Sequence, residues 1–369
     1  MTPLGQRIAA LIDEQGPISL ETYWSMALYD RQGGYYMARM PFGREGDFIT
    51  APEISQMFGE LLGAWMVAAW RGLGAPAPFI FAEIGPGRGT LMADMLRTAR
   101  KLEPDFAKAA RVHMIEVSDR LADVQMATLD RLDLPVSRVR ALGELPEGPL
   151  LLVGNELFDA LPIRQFIHDG SEWREQRIGR SQDGLAFVAC PLDTEDAAWL
   201  TALPGLPPPS AGTILEMSPA RTALAHSVAR RLAAASGAAL FIDYGHGGLA
   251  YGDTFQAISR HERADPLAEP GEADLTSHVE FGSLARAMQA GGLAVAPLAN
   301  QGDFLLSLGL LERAGALGAG RSAAEQAAIV AAAERLAGSA AGQMGSIFKV
   351  LAAASRPLPL PPFIKTGAD

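Results

Sequence analysis

Apolar residues recur at helical spacing at Leu4, Ile8, Leu11 and Ile12, which predicts an amphipathic opening helix. Gly16 and Pro17 end it. A second helix is expected after Ser19, with Glu21 in its first turn. A loop through residues 42–52 leads into a third helix, from about Ile54 to Arg71. Trp65, Met66 and Trp70 share its apolar stripe and are expected in the core. Gly72, Gly74, Pro76 and Pro78 read as a linker.

The pattern then changes to short apolar runs alternating with helical ones. Phe79–Ile84 predicts a buried strand, and Thr90 to about Leu102 a helix. Arg111–Val117 is a second strand, Leu121–Leu132 a second helix, Val136–Leu142 a third strand and Leu150–Val153 a fourth. Strand and helix alternating at this spacing imply a parallel sheet. From Arg164 to Cys190 three runs are separated by Asp169-Gly170 and Asp183-Gly184, which are hairpin signals. The α/β pattern resumes with a helix over Arg221–Ala234 and a strand over Ala239–Ile242. A helix over Phe281–Gln289, strands near Leu293–Pro297 and Ile347–Leu351, and a helix over Ala323–Leu336 complete it. The tail, with Pro357, Pro359, Pro361 and Pro362, is expected to be extended or mobile. The organisation is thus an N-terminal helical segment and lid loop (1–75), a core in two parts (76–163 and 212–354), an antiparallel insertion (164–211) and a Pro-rich tail (355–369).

Charge and composition narrow the class. The 369 residues carry 31 Lys+Arg against 42 Asp+Glu, a net charge of −11, which argues against nonspecific nucleic-acid binding. With 49% hydrophobic residues the chain can build a sizeable core. One cysteine, Cys190, excludes an intrachain disulfide scaffold. The first residues show neither a secretory core nor an Arg-rich, acid-poor leader, and the apolar run Leu61–Trp70 is too short to span a bilayer. A cytoplasmic location is the expectation. The six histidines show no metal-ligand spacing, so no zinc site is predicted.

The chemistry concentrates at strand ends. Glu83-Ile-Gly-Pro-Gly-Arg-Gly89 joins the first strand to its helix, with glycines at Gly85, Gly87 and Gly89. Such a turn lets a ligand approach the backbone and the free N–H groups of the helix start. A dinucleotide fold spaces its glycines G-x-G-x-x-G. Here the spacing is G-x-G-x-G, and Glu83 would repel a pyrophosphate but not a cationic aminoacyl ligand. That favours S-adenosylmethionine over a nicotinamide cofactor. Glu116 ends the second strand, where a carboxylate can accept from both ribose hydroxyls. Asn155, Glu156 and Asp159 follow the fourth strand, on the edge where open α/β sheets bind ligands. Glu156 and Asp159 lie close enough to hold a guanidinium fork between them if the chain turns. The alternative reading is that they cap a helix start. Asp47, Thr50, Pro52 and Glu53 form either a lid over the donor or an ordinary helix start. Asp243, Tyr244 and His246, and Asp274, Thr276 and His278, are further polar groups after strands.

These blocks in this order, together with Gly46–Ser55, Gln301–Leu305 and Met344–Val350, resemble the MidA family of class I methyltransferases over nearly the whole chain. The resemblance implies a Rossmann-like class I methyltransferase sheet and S-adenosylmethionine as donor, bound by Glu83, Gly85, Gly87, Gly89 and Glu116. It implies a protein substrate, because the family's mitochondrial member methylates arginine on a respiratory complex I subunit and assists assembly of that complex. Asn155, Glu156 and Asp159 are the expected catalytic residues. Two rivals remain: a donor-binding assembly chaperone with little catalysis, and a nicotinamide-dependent oxidoreductase.

Overall fold

A computed structural model describes residues 1–38, 50–203, 205–259 and 262–364. Asp47 of the expected lid lies outside them. The chain divides into two compact units. The larger comprises Ile49–Leu157, Leu224–Gly247 and Ser283–Asp369; the smaller comprises Met1–Phe48, Phe158–Ala223 and Gly248–Gly282. Among the described residues no helix is long and apolar enough to cross a membrane.

The larger unit is built on a mostly parallel sheet. Its strands are β1 (Phe79–Ile84), β2 (Ala110–Ile115), β3 (Val136–Val139), β4 (Leu150–Asn155), β5 (Gly237–His246), β6 (Ala294–Val295), β7 (Ala299–Asn300) and β8 (Phe348–Ala354). They lie in the order β6-β8-β5-β4-β1-β2-β3, with β7 also paired to β8. Strands β3, β2, β1, β4 and β5 are parallel, and β8 runs antiparallel to β5. Both faces are covered, which is why β1 and β4 are buried at every residue. The chain runs from β1 outward to β2 and β3, then returns to place β4 on the other side of β1. Open α/β sheets bind ligands at such a reversal, beyond the carboxyl ends of the strands, here β1 and β4.

Helices α1 (Gln56–Gly72), α2 (Thr90–Leu102) and α3 (Asp119–Leu129) follow the expected segments. The single helix expected from Ile54 is two pieces, Ala51–Ile54 and α1. Ser55 separates them because it adopts extended backbone and its hydroxyl caps the Met57 N–H. Phe58, Trp65, Phe79, Phe81 and Phe106 fill the core, each contributing about 1.5–3 kcal/mol on burial. The tail differs from its expectation. Leu358 and Leu360 are buried in this core, and the Trp65 indole N–H donates to the Pro361 carbonyl at 2.6 Å.

The smaller unit opens with helices Pro3–Gln15 and Leu20–Tyr29, the second capped by Ser19 as its sequence predicts. Its strands Ile18–Ser19, Trp173–Ser181, Arg164–His168 and Ile214–Met217 form an antiparallel path, and Gly184–Cys190 pairs with Trp173–Ser181. The second hairpin turns at Gln182 and Asp183, closed by Ser181 opposite Gly184, one residue earlier than the Asp-Gly signal suggests.

Candidate active site

The glycine turn of the larger unit leaves β1 at Ile84 and enters α2 at Thr90. Gly85, Gly87 and Gly89 all have positive φ, at 67°, 52° and 79°. That conformation is open to glycine and strained for a side chain. A Cβ on Gly85 would lie 3.1 Å from Leu157, and one on Gly89 would lie 3.4 Å from the Gln125 backbone. Gly89 caps α2 without a side-chain bond, so the first turn presents backbone N–H groups. The hydroxyl of Thr90 donates to Glu53 Oε1 at 2.8 Å. Glu53, from the expected lid, thus reaches the start of this helix.

Glu83 is buried on β1. The Met92 N–H donates to its carboxylate, while Oε2 has no partner among the described residues. Burial pushes the Glu83 carboxyl up to about 8. Glu116 follows β2 and is also buried. Ser118 N–H donates to its Oε1 at 2.7 Å, and Gln125 Nε2 donates to its Oε2 at 2.9 Å. Burial raises this carboxyl too, against the opposing pull of those hydrogen bonds. The Val117 N–H donates to it as well, so of the carboxylate's roughly four acceptor sites about one is left for a ligand hydroxyl.

At the end of β4, Asn155 Nδ2 donates to Glu156 Oε1 at 3.0 Å, and Ala51 N–H reaches the same oxygen at 3.3 Å. Asn155 Oδ1 is buried without a partner among the described residues. Glu156 holds φ at 51°, a left-handed conformation that costs a side-chain-bearing residue about 1–3 kcal/mol. Its N–H donates to the Ile242 carbonyl of β5 at 2.8 Å, which fixes that turn. The buried Asp243 accepts from Leu157 N–H at 3.1 Å and from Tyr244 N–H at 2.9 Å, tying the ends of β4 and β5 together.

The chain passes into the smaller unit after Leu157, so Asp159 belongs there. Its Oδ1 accepts from Ala160 N–H at 2.8 Å. Its carbonyl accepts from Arg221 Nη2 at 3.2 Å and from Ser277 N–H at 3.3 Å. The Tyr36 hydroxyl donates to Asp274 at 2.9 Å. Burial first, then the charges of Asp274 and Asp159, holds that phenol well above its usual range. Asp159, Asp274 and Tyr36 therefore share one polar cluster, and nothing along the chain joins them. Gln125, in the larger unit, is likewise absent from the residues that spacing singles out. Its signal is a polar residue on the apolar face that Leu121, Ala122 and Leu129 define.

The model of a family described as "putative S-adenosyl-L-methionine-dependent methyltransferase" matches residues 61–298. The chain belongs to this S-adenosyl-L-methionine-dependent methyltransferase family. It is 34% identical over 334 residues to the mitochondrial protein arginine methyltransferase NDUFAF7 of Mus musculus, covering 84% of this chain and 75% of that protein. It is 37% identical over 304 residues to the Drosophila melanogaster homologue, covering 75% and 68%. A solved structure from Burkholderia thailandensis, bound to S-adenosyl-homocysteine, superposes with a TM-score of 0.82 at 27% identity, covering 95% of this chain and 91% of that one.

These relatives correct one expectation. The curated ones are named mitochondrial, so the cytoplasmic location does not stand. It rests on the composition of the first residues, which does not decide where a folded chain resides. The sheet of this methyltransferase is the Rossmann-like one expected, and its donor is S-adenosylmethionine. The residues present fit that group. Glu83 Oε2 and Asn155 Oδ1 are buried acceptors without a donor among the described residues. A ligand carrying an ammonium, ribose hydroxyls and an adenine amine supplies donors of the kind they lack.

Proposed function

We propose that this methyltransferase acts on a protein, at the guanidinium of an arginine. The donor half of the reading is carried by the glycine turn beside the unpartnered acceptor of Glu83. The acceptor half is supported by relatives named protein arginine methyltransferase. When bound, S-adenosylmethionine supplies a methyl group already activated as an electrophile. Glu83 offers Oε2 to a cationic amino group, and Glu116 offers its remaining acceptor site to a hydroxyl. An arginine guanidinium is protonated at every accessible pH and gives up a proton when it is methylated. Glu156 supplies negative charge at the end of β4 to hold the fork, with Asn155 fixing its carboxylate. Asp159 is a further buried carboxylate three residues on, and a substitution tests it separately. The cofactor would supply the methyl carbon to the guanidinium nitrogen and leave as S-adenosylhomocysteine with the bonding pair on sulfur, while the Glu156 carboxylate would take the displaced N–H proton and pass it to solvent.

Removing the Glu116 carboxylate as Glu116→Ala should weaken S-adenosylhomocysteine binding by about 1.5–3 kcal/mol, as for hydrogen bonds to a charged group. Calorimetry reads this directly, and an unchanged affinity removes Glu116 from the site.

Glu83 gives a pH signature. Its carboxyl, raised to about 8, is protonated in the free protein at neutral pH. A cationic ligand favours the ionised form, so binding releases a proton and affinity rises with pH up to about 8. Stability runs the other way. Between about 4.5 and about 8 the folded chain holds a proton that the unfolded chain has lost, so stability falls as pH rises through that window. Glu83→Gln should therefore melt higher than the parent at the alkaline end. It should also bind the ligand more weakly and with a flatter pH profile. A melting difference that does not grow with pH would contradict the assignment.

A further inference from the structure

We propose that Gln125 is a positioning residue of the donor site: its amide ties the glycine turn to Glu116, so that the two recognise the donor as one rigid unit. The proposal rests on the reading of the turn and Glu116 as the donor site. Gln125 Nε2 donates at 2.9 Å to the Gly87 carbonyl and at 2.9 Å to Glu116 Oε2. Gly87 lies between β1 and α2, and Glu116 lies after β2, so one side chain links two ligand-facing loops. Both partners are acceptors, and only the amide nitrogen can face them. A flipped amide would set an oxygen against a carbonyl and a carboxylate.

The surroundings make this orientation firm. Gln125 is fully buried on the packed face of α3. The turn packs directly against that helix: a Cβ on Gly89 would sit at contact distance, 3.4 Å, from the Gln125 Cα. An apolar residue would fill the position without stranding Oε1, which is buried with no partner among the described residues. The two N–H bonds give the glutamine a role that an apolar residue of the same volume lacks. The bond to Glu116 also favours the ionised carboxylate, against its desolvation.

The test is titration of the full-length protein with S-adenosylhomocysteine from about pH 6 to about pH 9, with melting curves to verify folding. Gln125→Met keeps the volume and removes both bonds; it should bind about tenfold more weakly at every pH. Gln125→Glu keeps the shape but sets a second carboxyl beside Glu116. The pair can share one proton at low pH and repel once both ionise. Its affinity relative to the parent should therefore fall progressively as pH rises. A residue that only packs would give both variants the same loss at every pH, and that result overturns the proposal. Parent-like binding by both variants, with Glu116→Ala weakened, overturns it as well. If Glu116→Ala also binds like the parent, the donor-site reading fails first.

Discussion

Gly87→Val should abolish binding of S-adenosylhomocysteine, taking it below what calorimetry detects. Gly87 sits at φ 52°, inside a turn whose three glycines are all left-handed. A β-branched residue there is a true outlier, and the left-handed conformation alone costs about 1–2 kcal/mol. The cheapest relief is rotation of the peptide. That rotation swings the Gly87 carbonyl away from Gln125 Nε2 and releases the link to Glu116. The backbone that a ligand must approach is then lost together with the acid's orientation. The sheet is built from other residues, so the variant should still melt cooperatively. Parent-like affinity would mean that the turn does not hold the donor.

Glu156→Gln should keep donor affinity nearly intact while methyl transfer falls about a hundredfold, or about 2.7 kcal/mol of transition-state stabilisation. The amide is close in shape. Its oxygen can still accept from Asn155 Nδ2 and Ala51 N–H, so the turn at φ 51° is preserved. What disappears is the charge that holds a guanidinium and favours loss of its proton. Asp159→Asn tests the second carboxylate in the same way, because the amide oxygen can still accept from Ala160 N–H. Donor affinity is the control, since a collapsed pocket also stops turnover. If both variants transfer at the parent rate, these acids are turn and cap residues only.

The strand Phe79–Ile84 and the helix Thr90–Leu102 are legible to the residue. Each is a short run whose ends carry explicit signals, a proline before the strand and a glycine turn between the two. The break at Ser55 is not legible, because the apolar stripe continues across it and only the hydroxyl's bond to Met57 marks it. The run Val136–Leu142 overshoots its strand. The strand stops at Val139, and Leu142 turns inward in a short helical turn instead. The tail misleads for a related reason: its prolines suggest an extended chain, and the alternating Leu358 and Leu360 that bury it form too short a pattern to read.

At the donor site, the glycines and Glu116 announce themselves by spacing and by position after strands. The hydrogen bonds that organise them do not. Gln125 lies on the next helix, and nothing along the chain links it to Gly87. Asp159 sits three residues from Glu156, yet its carboxylate accepts from the next residue and its carbonyl from Arg221, a distant partner that only the fold supplies.

Methyl transfer to protein arginine is decided by incubating the chain with methyl-labelled S-adenosylmethionine and a lysate of its own organism, hydrolysing the protein fraction and identifying the labelled amino acid. Label in methylated arginine, lost with Glu156→Gln, is the predicted result. Firm donor binding with no label in any protein would contradict the claim and favour a donor-binding assembly factor.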